Sequence, residues 1–140
     1  MTFYLDSSVL VAALVEDEPA HEACLALLRK RDLATWSHAL AEVFATLTGG
    51  RLGLRVPPAI TAELIQSSLL PRLRLIELPG ADLIDAIRES ERVGARGGAI
   101  FDFLHLVVAR RSAATTLYTL NHRHFVAVAR KGDPRIEEPG

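Results

Sequence analysis

The sequence predicts an α/β domain with a mainly parallel central sheet, and three observations carry that expectation. Short apolar runs of strand type alternate with longer stretches whose apolar residues recur at helical spacing. At 140 residues and 49% hydrophobic, the chain fits one domain over residues 1–140 and buries a core without disulfides or structural metal. Polar and acidic residues cluster just after the apolar runs, where the strands of such a sheet end and where open α/β sheets bind their ligands.

The first run, Phe3-Tyr4-Leu5, is a strand that delivers Asp6 and passes through Ser7 and Ser8 to the apolar stretch from Val9 to Val15. Hydroxyl and acidic residues before an apolar run start helices, so Asp6 reads equally as a helix cap and as an acid facing a strand-end crevice. Glu16-Asp17-Glu18-Pro19 marks a break, with Pro19 suited to the first turn of a second helix running to about Arg31. Its basic end, Arg29-Lys30-Arg31, complements the helix dipole. Cys24, the only cysteine, shares a stripe with Ala20, Leu27 and Leu28 and is assigned to the core.

Leu33 to Trp36 forms a second strand, and Ser37 begins a helix whose Leu40, Val43, Phe44 and Leu47 fall at the spacing of one buried face. Glu42 lies on the opposite side beside the small Ala39, Ala45 and Thr46; taken alone it is an ordinary solvent-facing Glu. Gly49, Gly50 and Gly53 terminate that helix. They are no phosphate loop, because they follow no strand and lack the Lys-Ser/Thr ending. Pro57-Pro58 opens a helix to about Leu70, Leu73 to Leu78 is a strand, and Pro79-Gly80 turns into a helix over Ala81 to Arg92 with Leu83, Ile84 and Ile87 inward.

The segment GGAIFDFLHLVVARR places Gly97-Gly98 before a helix whose apolar stripe is Ile100, Phe103, Leu104, Val107 and Val108. Asp102 sits in its first turns, off that stripe, where the helix dipole favours an acid. The double glycine allows a sharp turn or a close approach of backbone to a ligand. Thr116 to Thr119 is then a strand, so Thr119 and Asn121 reach the same strand-end crevice as Asp6. His122 and His124 raise zinc, but no cysteine cluster and no HExxH accompanies them. Residues 133–140 read as a mobile polar tail.

The net charge of −1 lacks the basic footprint usual in nucleic-acid binders. Residues 1–70 carry five Lys/Arg against eight Asp/Glu, whereas residues 71–140 carry eleven against nine. Two divalent cations bound to the acids would bring the total from −1 to +3, so a phosphate substrate is not excluded. No apolar run approaches the roughly 20 residues that span a bilayer, and no secretory start is present, so the expected location is cytoplasmic.

In chain order, YLDSSVLVAAL with Asp6, AEVF with Glu42, GGAIFDFLHLVVAR with Asp102 and LYTLNHRHF with Asn121 resemble a PIN domain, specifically the VapC-like toxins of prokaryotic toxin–antitoxin pairs. The likeness runs over nearly the whole chain and implies a three-layer α/β/α architecture. It implies that Asp6, Glu42 and Asp102 hold Mg²⁺ or Mn²⁺ for RNA cleavage, with Asn121 among the catalytic residues and Ser8, Thr119 and His124 as neighbours. It also implies a cognate antitoxin whose C-terminal segment covers the site, and a homodimer. Exposed Arg51, Arg55, Arg72 and Arg74 are then candidates for RNA phosphates or an acidic partner segment. Where the family often has a fourth Asp, this chain has Asn121, which bears on a second metal more than on activity. The oxygen-rich set suits Mg²⁺, which is held by a few carboxylates together with water and substrate phosphate.

Two other enzymes share the strand-end Asp. A phosphatase of the haloacid dehalogenase type needs a second acid two positions on, where Ser8 stands, and a receiver-like domain needs paired acids and a strand-end Lys that neither Lys30 nor Lys131 supplies. A non-catalytic binding module with the same fold would retain all three acids, and only an assay with and without divalent metal separates it from the nuclease.

Overall fold

Five short strands, β1 (Thr2–Leu5), β2 (Leu33–Trp36), β3 (Leu73–Ile76), β4 (Ala114–Tyr118) and β5 (Arg135–Glu137), form one sheet in the computed structural model, which describes residues 1–140. Their order is β3-β2-β1-β4-β5, and every neighbouring pair is parallel. The helices are α1 (Ser7–Leu14), α2 (His21–Leu28), α3 (His38–Thr48), α4 (Pro58–Leu64), α5 (Gly80–Glu89), α6 (Ala99–Arg111) and α7 (His122–Val128). None is long and apolar enough to cross a membrane.

Side chains alternate across the strands, so each strand feeds two cores. Leu5, Leu33 and Leu73 pack with Val9, Leu10, Leu27, Val43 and Leu47 of α1, α2 and α3 on one face. Tyr4, Ala34 and Leu117 pack with Phe103, Leu106, Val108 and Phe125 of α6 and α7 on the other. This is the three-layer α/β/α arrangement expected. Starting from the central β1, the chain steps outward through β2 to β3, then crosses back to β4 on the other side of β1. The crossover helices change face at that return, so the switch point of the sheet lies between β1 and β4, the place where such folds bind ligands.

Several local expectations are corrected. Helix α2 begins at His21 with Ala20 at its cap, so Pro19 stays outside the first turn. On α3 the inward face is Ala39, Val43 and Leu47, four residues apart; Phe44 is exposed, and Ala39, grouped with Glu42 by sequence, is fully buried. On α5, Ala86 packs inward with Leu83, while Ile84 is 49% and Ile87 45% exposed. Two adjoining apolar stripes were present, and α5 turns the one with the smaller residue toward the sheet. Residues 133–140 are not a loose tail: β5 pairs with β4 from Thr116↔Arg135 to Tyr118↔Glu137. Asp133 is the anchor, accepting from Arg130 N–H at 2.7 Å and pairing with Arg110 Nε at 3.1 Å.

Candidate active site

Asp6 leaves the end of β1 and Thr119 the end of β4, and the register Leu5↔Tyr118 sets them side by side at the switch point. Thr119 Oγ1 donates to Asp6 Oδ2 at 2.6 Å; Ser8 Oγ and the Val9 N–H donate to Oδ1 at 2.6 and 3.1 Å. The Val9 bond is the helix cap of α1, so Asp6 is cap and crevice acid together. Two further bonds brace it: Ser8 Oγ accepts the Leu120 N–H at 3.0 Å, and Thr119 Oγ1 accepts the Asn121 N–H at 2.9 Å. Only 2% of Asp6 is exposed, and burial pushes its carboxyl up from the ordinary Asp value, against the opposing influence of His105 and these hydrogen bonds.

Glu42 is not a free surface acid. It reaches from α3 to accept from His105 Nε2 at 2.8 Å, from Ser7 Oγ at 3.2 Å and from His38 Nδ1 at 3.3 Å. Burial pushes its carboxyl up, but His105 first and then His38, both hydrogen-bonded to it, prevail and hold it below the ordinary Glu value. His105 itself is 2% exposed, and its Nδ1 lies 2.6 Å from Tyr4 Oη, which accepts the Trp36 N–H at 3.2 Å. Nδ1 is the acceptor available for the Tyr4 hydrogen, which assigns the remaining ring hydrogen to Nε2 and directs it at Glu42. Burial raises Tyr4 well above the ordinary phenol value and keeps it a donor. A relay of hydrogen bonds thus runs from the backbone of β2 through Tyr4 and His105 to Glu42.

Asp102 stands one turn before His105 on α6, half-buried and without a hydrogen bond or ion pair among those formed by the other acids of the cleft. Burial raises its carboxyl; His105 and His124 offset this in part, and the charges of Asp6 and Glu42 add to it. All three acids face one space. That space is a cleft of about 560 Å³ lined by Asp6, Ser8, Glu42, Asp102, His105 and Asn121 among others. Thr119 lies beneath it, holding Asp6, and His124 lies outside it in a shallow groove shared with Asn121.

No three His, Cys, Asp or Glu side chains stand close enough to form a ready-made metal cage. The donor set nevertheless fits a hard cation: oxygens predominate, Asp102 offers a partly buried carboxylate whose burial His105 and His124 offset only in part, and Mg²⁺ needs only one or two carboxylates beside water and phosphate.

The PIN domain model matches residues 3–131. The chain belongs to the PIN domain family. This PIN domain is 31% identical over 110 residues to Ribonuclease VapC27 of Mycobacterium tuberculosis, a match covering 79% of this chain and 78% of that protein. Its fold is similar to that of Mycobacterium tuberculosis VapC20, described as a Sarcin-Ricin loop cleaving toxin, with TM-score 0.71 and 18% identity over 95% of this chain and all 100% of the other. It is also similar to VapBC2 from Rickettsia felis bound to a DNA fragment from their promoter, with TM-score 0.69 and 22% identity over 100% of both chains.

The PIN domain redistributes the expected arginines. Arg51 lines the cleft, and Arg55 packs its guanidinium over Gly50, where φ is +84° and a Cβ would come within 2.9 Å. Arg72 Nε donates to Leu28 O at 2.9 Å and Arg74 to Ser112 O at 3.2 Å, at the opposite end of the sheet. Those two hold the scaffold. Of the double glycine, Gly97 takes φ +56° and makes the sharp turn into α6, while nothing lies within 4 Å of a Cβ at either glycine. Sequence reasoning missed His105, whose signal was a polar ring between Leu104 and Leu106 and three residues after Asp102. It also missed Tyr4, His38 and Phe101, which reach the site only through the fold.

Proposed function

We propose that this PIN domain is a metal-dependent endoribonuclease, the toxin half of a VapBC-type pair, hydrolysing RNA phosphodiester bonds. The observation that carries this reading is the meeting of Asp6, Glu42 and Asp102, from three separate elements, around one cleft at the switch point of the sheet. Membership of the PIN family and the likeness to a VapC ribonuclease support it.

Asp6, Glu42 and Asp102 are the residues that would hold Mg²⁺ or Mn²⁺, with Asn121 at the mouth as a neutral oxygen donor. A bound ion of this kind offsets charge on the phosphoryl oxygens and lowers the pKa of a water. The chain does the rest. The bonds from Ser8, Thr119 and Val9 N–H fix Asp6 in one rotamer, so its orientation costs nothing when substrate arrives. His105 holds Glu42 ionised and aimed. Asp102, with proton affinity raised and no internal donor, is the carboxylate free to take up a cation or a proton. The Asn121 amide and the Arg51 guanidinium supply donors for phosphate oxygens at the rim.

An antitoxin partner, a homodimer and a cytoplasmic site of action belong to the same proposal. VapBC complexes among the structural neighbours support the first, and the outward Ile84 and Ile87 offer apolar area for the second. Monomeric light scattering at micromolar concentration would count against the homodimer. The deciding experiment incubates RNA with the purified protein in Mg²⁺, in Mn²⁺ and in chelator, beside Asp6→Asn, and sequences the 5′ ends of the fragments. Metal-dependent cleavage lost in Asp6→Asn supports the nuclease. RNA retained without cleavage, equally by both proteins, makes the chain a binding module.

A further inference from the structure

The acids account for the floor of the cleft but not for the rings on its rim. Trp36 at the end of β2, His38 at the start of α3 and Phe101 in the first turn of α6 form a ladder. Trp36 and His38 stack with centroids 4.5 Å apart and planes at 29°, and His38 and Phe101 follow at 5.7 Å and 10°. The inner ring is buried and the outer one, Phe101, is 44% exposed and lines the cleft. His38 is tied through Nδ1 to Glu42 at 3.3 Å, and Phe101 directly precedes Asp102, so the ladder is held in register with the acids.

A single exposed Phe is ordinary. A stack whose outer two rings are near parallel, backed by a buried indole and joined to the acids on both elements, is a preformed planar surface beside a phosphate-type site. The ligand with matching chemistry is one that carries a planar π-face next to a phosphodiester. Arg51, the only Lys or Arg lining the cleft, provides a cation there for a neighbouring phosphate.

We infer that the Phe101–His38 stack is a base-binding subsite, which receives the unpaired nucleobase of a nucleotide adjoining the cleaved phosphodiester in single-stranded RNA. The inference rests on the ribonuclease reading and extends it to the substrate. Every base has a π-face, so the subsite selects for an unstacked, unpaired nucleotide rather than for one letter. A base inside a duplex keeps both faces covered by its neighbours and has none to offer.

The test needs no turnover in its first arm. A short single-stranded RNA carrying 2-aminopurine is titrated with full-length Asp6→Asn protein, whose fluorescence quenching reports stacking. Adding Phe101→Ala should abolish the quench and weaken binding about tenfold. Phe101→Tyr should retain both, and Phe101→Leu, apolar but without a π-face, should behave as Ala. In the second arm, on the otherwise wild-type protein, Phe101→Ala should raise KM about tenfold and move kcat far less, because stacking serves bound substrate and transition state alike. That difference should vanish on RNA with an abasic nucleotide next to the cut. Thermal midpoints confirm that each variant folds.

Unchanged quench and KM in Phe101→Ala, with cleavage still lost in Asp6→Asn, overturn the subsite while the ribonuclease reading stands. Phe101→Leu behaving as wild type overturns stacking in favour of plain apolar contact. Absence of RNA cleavage by the wild type overturns the ribonuclease reading, and the quenching arm still decides whether the rings bind a base.

Discussion

Asp6 carries two duties that pull in opposite directions. As the cap of α1 it accepts the Val9 N–H, and as a crevice acid its charge is buried with Glu42 and Asp102 nearby. Its folded-state pKa is raised, so between the unfolded and folded values the native protein binds the extra proton, and stability falls as pH rises through that window. Asp102 acts in the same direction. Glu42, held low, acts in the other: its stability is present above the unfolded value and lost as pH falls through the folded one. Asp6→Asn keeps a competent cap and removes the buried charge, so it should unfold at equal or higher urea than wild type at neutral pH. The gain should shrink on acidification, as wild-type Asp6 becomes protonated. His105→Leu is the converse case, leaving Tyr4 without an acceptor and Glu42 without its shortest donor; urea unfolding should show a loss of about 1–3 kcal/mol. Asn121 adds an oxygen but no charge, and charge count tunes affinity at hard-cation sites. Asn121→Asp should therefore gain affinity for a second Mn²⁺ without RNA, measured by titration calorimetry, and Asn121→Ala should lose less turnover than Asp6→Ala.

Among the elements, β5 is the one whose sequence says least about its role. It is three residues long and sits at a sheet edge, yet it covers β4, and Asp133 before it links Arg110 of α6 to Arg130. Removing residues 133–140 strips β4 of its outer partner and leaves two guanidinium groups without their acid. The expected cost is about 1–3 kcal/mol by urea unfolding, where an unattached tail would cost nothing. The Thr119 N–H also donates to Glu137 O at 3.1 Å, so the same truncation loosens the residue that holds Asp6. Loss of activity beyond the loss of stability would follow from that contact.

For the whole molecule, the acids of the cleft are a local excess of negative charge on a chain of net charge −1. A ligand that binds only the folded state stabilises it by mass action, about 2.7 kcal/mol at a hundredfold excess over Kd. Mn²⁺ should accordingly raise the thermal midpoint of the wild type and leave that of Asp6→Ala nearly unmoved. An equal rise in both would locate the ion elsewhere and remove Asp6 from the metal set.

Alternation of strand and helix signals determined the α/β class, the strand-end positions of Asp6 and Asn121, and the place of Asp102 in the first turns of α6, because these depend on local periodicity and capping. The motif order sufficed for the family. Which stripe of α5 faces inward, that Ala39 and not Phe44 packs beneath α3, and that residues 135–137 extend the sheet were settled only by the fold. Each is a choice between surfaces of similar apolarity, resolved by neighbours distant in the chain. The same holds for the geometry of Glu42: its helix periodicity alone makes it a solvent-facing acid and the motif resemblance names it a site acid, but what aims it into the cleft is His105, 63 positions away and buried on the far side of β1 and β2. A hydrogen bond between residues so far apart has no local signature, and the space it helps enclose exists only once both layers of helices have closed on the sheet.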